Sequence, residues 1–391
     1  MKNILILSIG FLPNIGGLET HLKDLIDELI KKDWEVTVLT YQPLNTPALG
    51  KWIETSNNLK IVRLPVVQGV FYKLLGIPLL EFLFLEPLLF IVTPLALLRY
   101  PDIKVVNAQG IIAGFAATFW TKIFKKRYVI SAQSVYNFPK FGLYRQISSW
   151  IFKSADKIIA ISAQTKKDIE TLGVDSRNII VYTNWENSKF FIHQNKIVAK
   201  GKLGFSGKFV VSFFGRLVEE KGIKVLMDAI PLASKKITFV IYGEGPLKEV
   251  VLKTAKKYKN VVYKETIPPE LLPLHYSAAD LVVMPSLHEE GFGRVAAGAL
   301  FCSTPVIASN RGALPEVVNE RVGKVINPTA IDIKNAIEYF YLNPKALKKC
   351  SSNARAYATK KFSSKNAAVI IEALKTESKW SSSSFGQSRF R

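Results

Sequence analysis

The chain has 391 residues, 48% of them hydrophobic, enough for two domains with their own cores and too apolar for a disordered body. Two cysteines and four scattered histidines give neither a disulfide framework nor a metal-ligand cluster. The formal charge of +22, carried by both halves, calls for an anionic partner. Without a helix-turn-helix, zinc-finger or RNA-binding signature, that partner is expected to be a membrane surface or polyanionic substrate and not nucleic acid.

Met1-Lys2-Asn3 leads directly into an apolar strand at 4–8, with no signal-type core and small-residue cleavage site, so a reducing cytoplasm is the expected compartment. A loop with Pro13 and Gly16-Gly17 follows. Leu18, Leu22, Leu25, Ile26 and Leu29 then recur at helical spacing and predict a helix over 18–32. Strands are expected at 35–40 and 59–64. The stretch 64–98 is very apolar, flanked by Lys73 and Arg99 and interrupted by Glu81, Glu86, Pro78, Pro87 and Pro94. A membrane span needs ~20 apolar residues with few charges. The interruptions leave three readings open: an interfacial hairpin dipping into the headgroup region, buried core helices, or a transmembrane helix.

Further strands at 104–107, 128–131 and 157–160 alternate with helical stretches at 112–124 and 144–154, the pattern of a parallel doubly wound sheet. The polar, irregular stretch 187–206 reads as a junction. A second series of strands follows at 209–213, 238–242, 261–263, 281–284 and 305–308. The expected architecture is α/β, with two Rossmann-like doubly wound domains facing a cleft. They span 1–190 and 207–377, joined by a linker at 191–206, and the last helix is free to pack back on the first domain. The low-complexity tail 378–391 is expected to be disordered.

The segment 279–318 carries the most chemistry. Its first strand is stopped by Pro285-Ser286, and Glu289-Glu290 then meets Gly291-Phe292-Gly293 at the mouth of a small-residue helix over 294–301. A second strand and the turn Arg311-Gly312-Ala313 lead to Glu316. In open α/β sheets ligands sit at the carboxyl ends of strands, beside helix N-termini that favour anions. A carboxylate and close-approaching glycines there suit a ligand with both hydroxyls and phosphates. Gly215-Arg216 and Lys221-Gly222 stand where another strand hands over to a helix, Tyr242-Gly243-Glu244-Gly245-Pro246 after the next strand, and Gly16-Gly17-Leu18-Glu19 after the first.

These motifs resemble those of retaining glycosyltransferases of the GT-B fold, family 4. The resemblance runs from Ile4 to about Ala373 and is tightest between 209 and 318. It implies a metal-independent hexosyltransferase, without a cofactor, that uses a nucleoside-diphosphate sugar. Arg216 and Lys221 would hold the donor diphosphate and stabilise charge on the departing nucleotide. Glu290, with the backbone of Gly291, Phe292 and Gly293, would orient the sugar hydroxyls. Gly215 and Gly243 would flank the nucleotide, and Gly16 and Gly17, with Glu19 beside them, would approach the donor phosphates and acceptor. The acceptor implied is a glycan or lipid-linked oligosaccharide, lipopolysaccharide or exopolysaccharide, met peripherally at the inner face of an anionic membrane.

Departures from the family pattern bear on mechanism. The family's second glutamate, eight residues after the first and placed on the ribose, is Gly298. An uncompensated loss of that contact is worth ~1.5–3 kcal/mol of donor binding. His288 and Glu289 are its nearest polar neighbours. Asn107, Gln109 and Gln133 fall where the family's first domain carries histidines. Gln133 can hydrogen-bond a sugar but cannot carry a proton. In the family's N-G-x-D segment, Trp185 and Asn187 replace the glycine and aspartate. A second class of function therefore stays open: a non-catalytic GT-B partner subunit or carbohydrate-binding protein. A GT-B epimerase would call for more carboxylates and histidines than the sequence offers.

Overall fold

The computed structural model describes residues 2–14, 16–44, 46, 48–67 and 78–375. The tail expected at 378–391 and part of the apolar stretch, 68–77, lie outside the described residues. The chain divides into two compact units. The first runs to Tyr182 and resumes at Lys365; the second is Thr183–Ser364.

In chain order the first unit holds β1 (Lys2–Leu7), α1 (Gly17–Ile30), β2 (Trp34–Tyr41), β3 (Ile53–Ser56), β4 (Leu59–Leu64), α2 (Pro78–Arg99), β5 (Val105–Gln109), α3 (Gly110–Ile123), β6 (Arg127–Ala132), α4 (Leu143–Ser154), β7 (Lys157–Ala160), α5 (Ala163–Glu170) and β8 (Ile179–Val181). They build an eight-stranded sheet ordered β3-β4-β2-β1-β5-β6-β7-β8, parallel except for β3, which pairs antiparallel with β4. Ile4, Leu5, Ile6 and Leu7 are fully buried, as the continuous apolar run of β1 requires of a parallel strand covered on both faces. Leu85, Leu89 and Leu97 place the inner side of α2 in this core, beside Tyr128 and Ile130 of β6.

The second unit holds α6 (Lys196–Leu203), β9 (Phe209–Phe214), α7 (Ile223–Ala229), β10 (Ile237–Tyr242), α8 (Lys248–Lys257), β11 (Val261–Lys264), α9 (Leu272–Ala278), β12 (Leu281–Met284), α10 (Arg294–Phe301), β13 (Val306–Ser309), α11 (Leu314–Val317), β14 (Gly323–Ile326), α12 (Ala330–Leu342) and α13 (Pro344–Lys361). Its parallel sheet is ordered β11-β10-β9-β12-β13-β14. The last helix, α14 (Ala367–Lys375), belongs to the first unit; its Ala373 carbonyl accepts a 2.8 Å hydrogen bond from Arg127.

Two expectations need correction. The division falls after Tyr182, not at 190. Part of the expected linker, 191–206, is the helix α6, folded into the second unit. Asn195 caps it by accepting from the N–H groups of Ile197 and Val198. Lys196 and Lys200 both reach Asp280, Lys200 at 2.5 Å, so the polarity that read as linker is a helix face paired to the domain.

Candidate active site

The candidate residues of the second unit stand at the carboxyl ends of β9, β10 and β12. After β9 the chain passes Gly215 and the exposed Arg216 into a short turn ending at Gly222. Gly222 has φ +70, and a Cβ there would lie 1.9 Å from the Pro285 carbonyl oxygen. Only glycine lets this turn press against the end of β12. That approach delivers Lys221 to Glu290, with Nζ to Oε1 at 2.6 Å. The Ser286 hydroxyl donates to the same oxygen at 2.6 Å. His288 donates from Nδ1 to the Glu220 carbonyl at 2.9 Å and turns Nε2 toward Glu290 Oε2 at 3.6 Å, an ion pair only when the ring is protonated.

Burial alone would push the Glu290 carboxyl up. Lys221, helped by Ser286 and His288, outweighs it and holds the carboxyl below its ordinary value. Arg216 has no hydrogen-bond or ion-pair partner among the described residues. The cluster therefore presents an ionised carboxylate and a lysine engaged with it, while the free guanidinium of Arg216 stands five residues earlier on the same turn.

The neighbouring turns fit together as closely. Gly243 has φ +140, and a Cβ there would meet the Gly215 carbonyl oxygen at 1.9 Å. Gly215 donates to the Tyr242 carbonyl at 3.1 Å, and Leu217 to that of Glu244 at 2.8 Å. Beside them Phe214 stacks on Tyr242 with centroids 4.6 Å apart and meets Tyr276 edge-on at 4.6 Å. Phe214, Arg216, Tyr242, Ile267, Leu272 and Val295 are among the walls of a cavity of about 350 Å³. Its aromatic floor suits a flat ring, and Arg216 and Glu244 stand on its wall.

Gly291-Phe292-Gly293 divides its tasks. Gly293, at φ +95, turns the chain into α10, while Phe292 is buried against Phe362 with centroids 5.5 Å apart. Phe292 can therefore offer a ligand only its backbone. Glu289 accepts from the Gly312 N–H, and Ala313 donates to the Glu290 carbonyl at 2.8 Å, tying the carboxylate loop to the turn after β13. At Gly298 a Cβ would lie 2.9 Å from the Tyr276 ring and 3.1 Å from that of Phe191. Two rings fill the room that a side chain at 298 would need.

In the first unit, Glu19 turns back into its own loop: Asn14 donates to its Oε1 at 2.5 Å, and a Cβ on Gly10 or Gly16 would collide with its carboxylate. It braces the Gly16-Gly17 turn. Asn107, Gln109 and Gln133 are brought together in a one-way relay. His21 Nε2 lies 3.1 Å from the Tyr182 hydroxyl, which donates to Gln133 Oε1 at 2.9 Å. Gln133 Nε2 donates to Gln109 at 3.2 Å and Gln109 Nε2 to Asn107 at 2.5 Å. Asn107 Nδ2 donates to the Val129 carbonyl and the Ser131 hydroxyl. With the Tyr182 proton given to Gln133, His21 is the Nε2–H donor. Gln133 is half-buried, and one N–H of its amide stands outside this relay. Sequence reasoning missed His21, Tyr182 and Ser286; only Ser286, four residues before Glu290 in the Pro-Ser motif, carried a local signal.

Residues 195–357 match the family described as Glycosyl transferases group 1, and residues 15–185 match Glycosyltransferase Family 4. An uncharacterized 41.2 kDa protein of the cps region of Klebsiella pneumoniae is 31% identical over 247 residues, 59% of this chain and 67% of that protein. The capsular polysaccharide biosynthesis glycosyltransferase CapM of Staphylococcus aureus is 28% identical, over 68% of this chain and 72% of its own. Among solved structures, sucrose-phosphate synthase of Thermosynechococcus elongatus superposes with a TM-score of 0.79 at 20% identity, covering 96% of this chain and 98% of its own. HepE of Anabaena, solved with UDP-glucose, gives 0.72 at 19% identity, with 96% and 99% covered. The fold is GT-B, and the chain belongs to the family 4 glycosyltransferases.

Proposed function

We propose that the chain is a retaining hexosyltransferase that moves a sugar from a nucleoside diphosphate to a lipid-linked or polysaccharide acceptor at the cytoplasmic face of a membrane. The observation that carries this reading is the Lys221–Glu290–Ser286 cluster, with unpaired Arg216 earlier on the same turn. The aromatic cavity takes the base, and Arg216 and Lys221 take the diphosphate. Lys221 leaves Glu290 for a phosphate oxygen as the donor enters, and Glu290 is then free to accept from the sugar hydroxyls. As the glycosidic bond to the diphosphate breaks, the two cations stabilise the charge on the leaving oxygen without a metal ion. Departure and attack on the same face keep the anomeric configuration, and the leaving phosphate takes the acceptor's proton. Gln133, midway along the relay, presents an amide N–H and, as an amide, carries no proton itself.

CapM, named for capsular polysaccharide biosynthesis, supports a glycan acceptor. A mannosyltransferase of Mycolicibacterium smegmatis, 33% identical over 34% of this chain and named for GDP-mannose and a phosphatidylinositol mannoside, supports a lipid-linked one. The test is incubation with each nucleoside-diphosphate sugar and lipid extract, in the presence of a chelator, followed by NMR of the product. Retention predicts the anomeric configuration of the donor in the product; inversion sinks the front-face scheme. One observation favours the non-catalytic alternative: at Gly298 two rings fill the space of a ribose carboxylate. Binding of donor without release of nucleotide to any acceptor would move the reading there.

A further inference from the structure

α2 is apolar on both its sides, unlike a helix that faces water. Its inner side buries Glu86 and Thr93 among Leu85, Leu89 and Leu97. Its outer side exposes Leu83, Ile91, Leu95 and Leu98, each 58–65% accessible, with Pro87 between them. These positions recur every three to four residues and form one stripe along the helix. A surface helix ordinarily puts its polar residues there. The stripe continues sideways. Phe90 of α2 meets Phe119 of α3 at 5.2 Å, and Phe115 of α3 meets Trp150 of α4 edge-on at 5.4 Å. Phe119, Ile123 and Trp150 are themselves 42–55% exposed.

Cations border this face. α2, α3 and α4 each lead into the next parallel strand and run in one direction, so their last turns share a rim. Arg99, Lys122 and Lys153 stand on those turns, one turn beyond Leu95, Phe119 and Trp150, and Lys125 follows. All four are exposed, and among the described residues none has a carboxylate partner.

We propose that the outer face of α2, continued by α3 and α4, is a docking surface for an anionic lipid bilayer. An apolar stripe with an aromatic border settles at the acyl boundary while Arg99, Lys122, Lys125 and Lys153 reach phosphate headgroups. The helix is long enough to span. Because its inner side is part of the first unit's core, lipid cannot surround it, and it lies along the interface. The stripe offers a protein partner no hydrogen-bonding group, and the unpaired rim is complementary to anionic headgroups. The proposal deepens the reading of a membrane-borne acceptor, and rests on it only for the biological use of the surface.

The test is co-sedimentation of the full chain with phosphatidylcholine vesicles, with and without phosphatidylglycerol, in the absence of donor and acceptor. The wild type is expected to sediment with the anionic vesicles. The triple variant Leu83→Glu, Ile91→Glu, Leu95→Glu should bind at least about tenfold more weakly, with unchanged circular dichroism. Lys122→Glu with Lys125→Glu, which leaves the apolar stripe intact, should also lose about tenfold, on anionic vesicles alone. A wild type that stays in the supernatant, or variants that bind as it does, overturns the proposal. So does a dimer in light scattering that the triple variant splits while no vesicle binds, since the occupant would then be a second copy. Either result leaves the donor site of the second unit untouched.

Discussion

Lys221 and Glu290 lie 69 positions apart in sequence and meet at 2.6 Å, with Glu290 largely buried and Lys221 a quarter exposed. The pair holds the carboxylate ionised and fixes the lysine in the turn after β9; in the proposed function a diphosphate would compete for that lysine. Lys221→Ala should cut turnover by about 10²–10³, the scale for losing a preorganised charge at a leaving group. It should also cost roughly 1–3 kcal/mol of stability, because a mostly buried carboxylate loses its cation. Arg216→Ala should lose comparable activity with stability unchanged within about 0.5 kcal/mol, since Arg216 is exposed and unpaired. Parallel kinetics and urea melts separate the two behaviours.

Gly222 is the reason the pair can form. Gly222→Ala places a Cβ 1.9 Å from the Pro285 oxygen at a positive φ. It should destabilise the second unit by about 2–4 kcal/mol and lower activity as Lys221 is drawn away. Gly298→Glu restores the family's second carboxylate on paper. Because Tyr276 and Phe191 occupy its space, it should lower the melting temperature and leave donor affinity no better. A gain in affinity at unchanged stability would show the rings to be displaceable.

Glu86 gives the first unit a pH dependence of its own. Neither carboxyl oxygen has a hydrogen-bond partner among the described residues, and burial pushes the group up to about 9. The folded chain therefore keeps a proton that the unfolded chain releases. The stability from neutral Glu86 is fully present below the ordinary carboxyl value and declines as pH rises toward 9, by at most about 1.4 kcal/mol per unit. Glu86→Gln should remove that slope and stabilise the chain at pH 8, a difference that denaturant melts of both proteins at pH 5 and pH 8 will resolve.

Tyr182 links His21 to Gln133. Tyr182→Phe leaves the Gln133 amide without its fixed donor, a loss of about 1–3 kcal/mol if that amide must be held in one orientation. Under the proposed function, turnover should fall tenfold or more while donor affinity stays at the wild-type value. Equal losses in both would point to general unfolding.

What the sequence made legible follows from locality. β9, β10 and β12 announce themselves as continuous apolar runs, because strands of a parallel sheet are buried on both faces. Arg216, Lys221 and Glu290 were readable as candidates because glycine turns at strand ends mark the ligand side of such sheets. β3, with the sequence Ile-Glu-Thr-Ser, is largely exposed and has no pattern to betray it. α6 read as linker because its order comes from Asp280, some eighty residues away. His21 and Tyr182 are 161 positions apart and looked like ordinary members of a helix and a strand end. The pairing of Lys221 with Glu290 depends on two turns touching at Gly222 and Pro285, a tertiary fact with no local signature.

The most direct test of the donor site is calorimetric titration of the wild type, Arg216→Ala and Lys221→Ala with a panel of nucleoside-diphosphate sugars. One donor should bind the wild type, and each variant should lose about tenfold or more in affinity for it, in keeping with a charge-assisted contact to phosphate. No binding by any donor, or wild-type affinity in both variants, would contradict the assignment of the Lys221–Glu290 cluster as the place where the diphosphate is held.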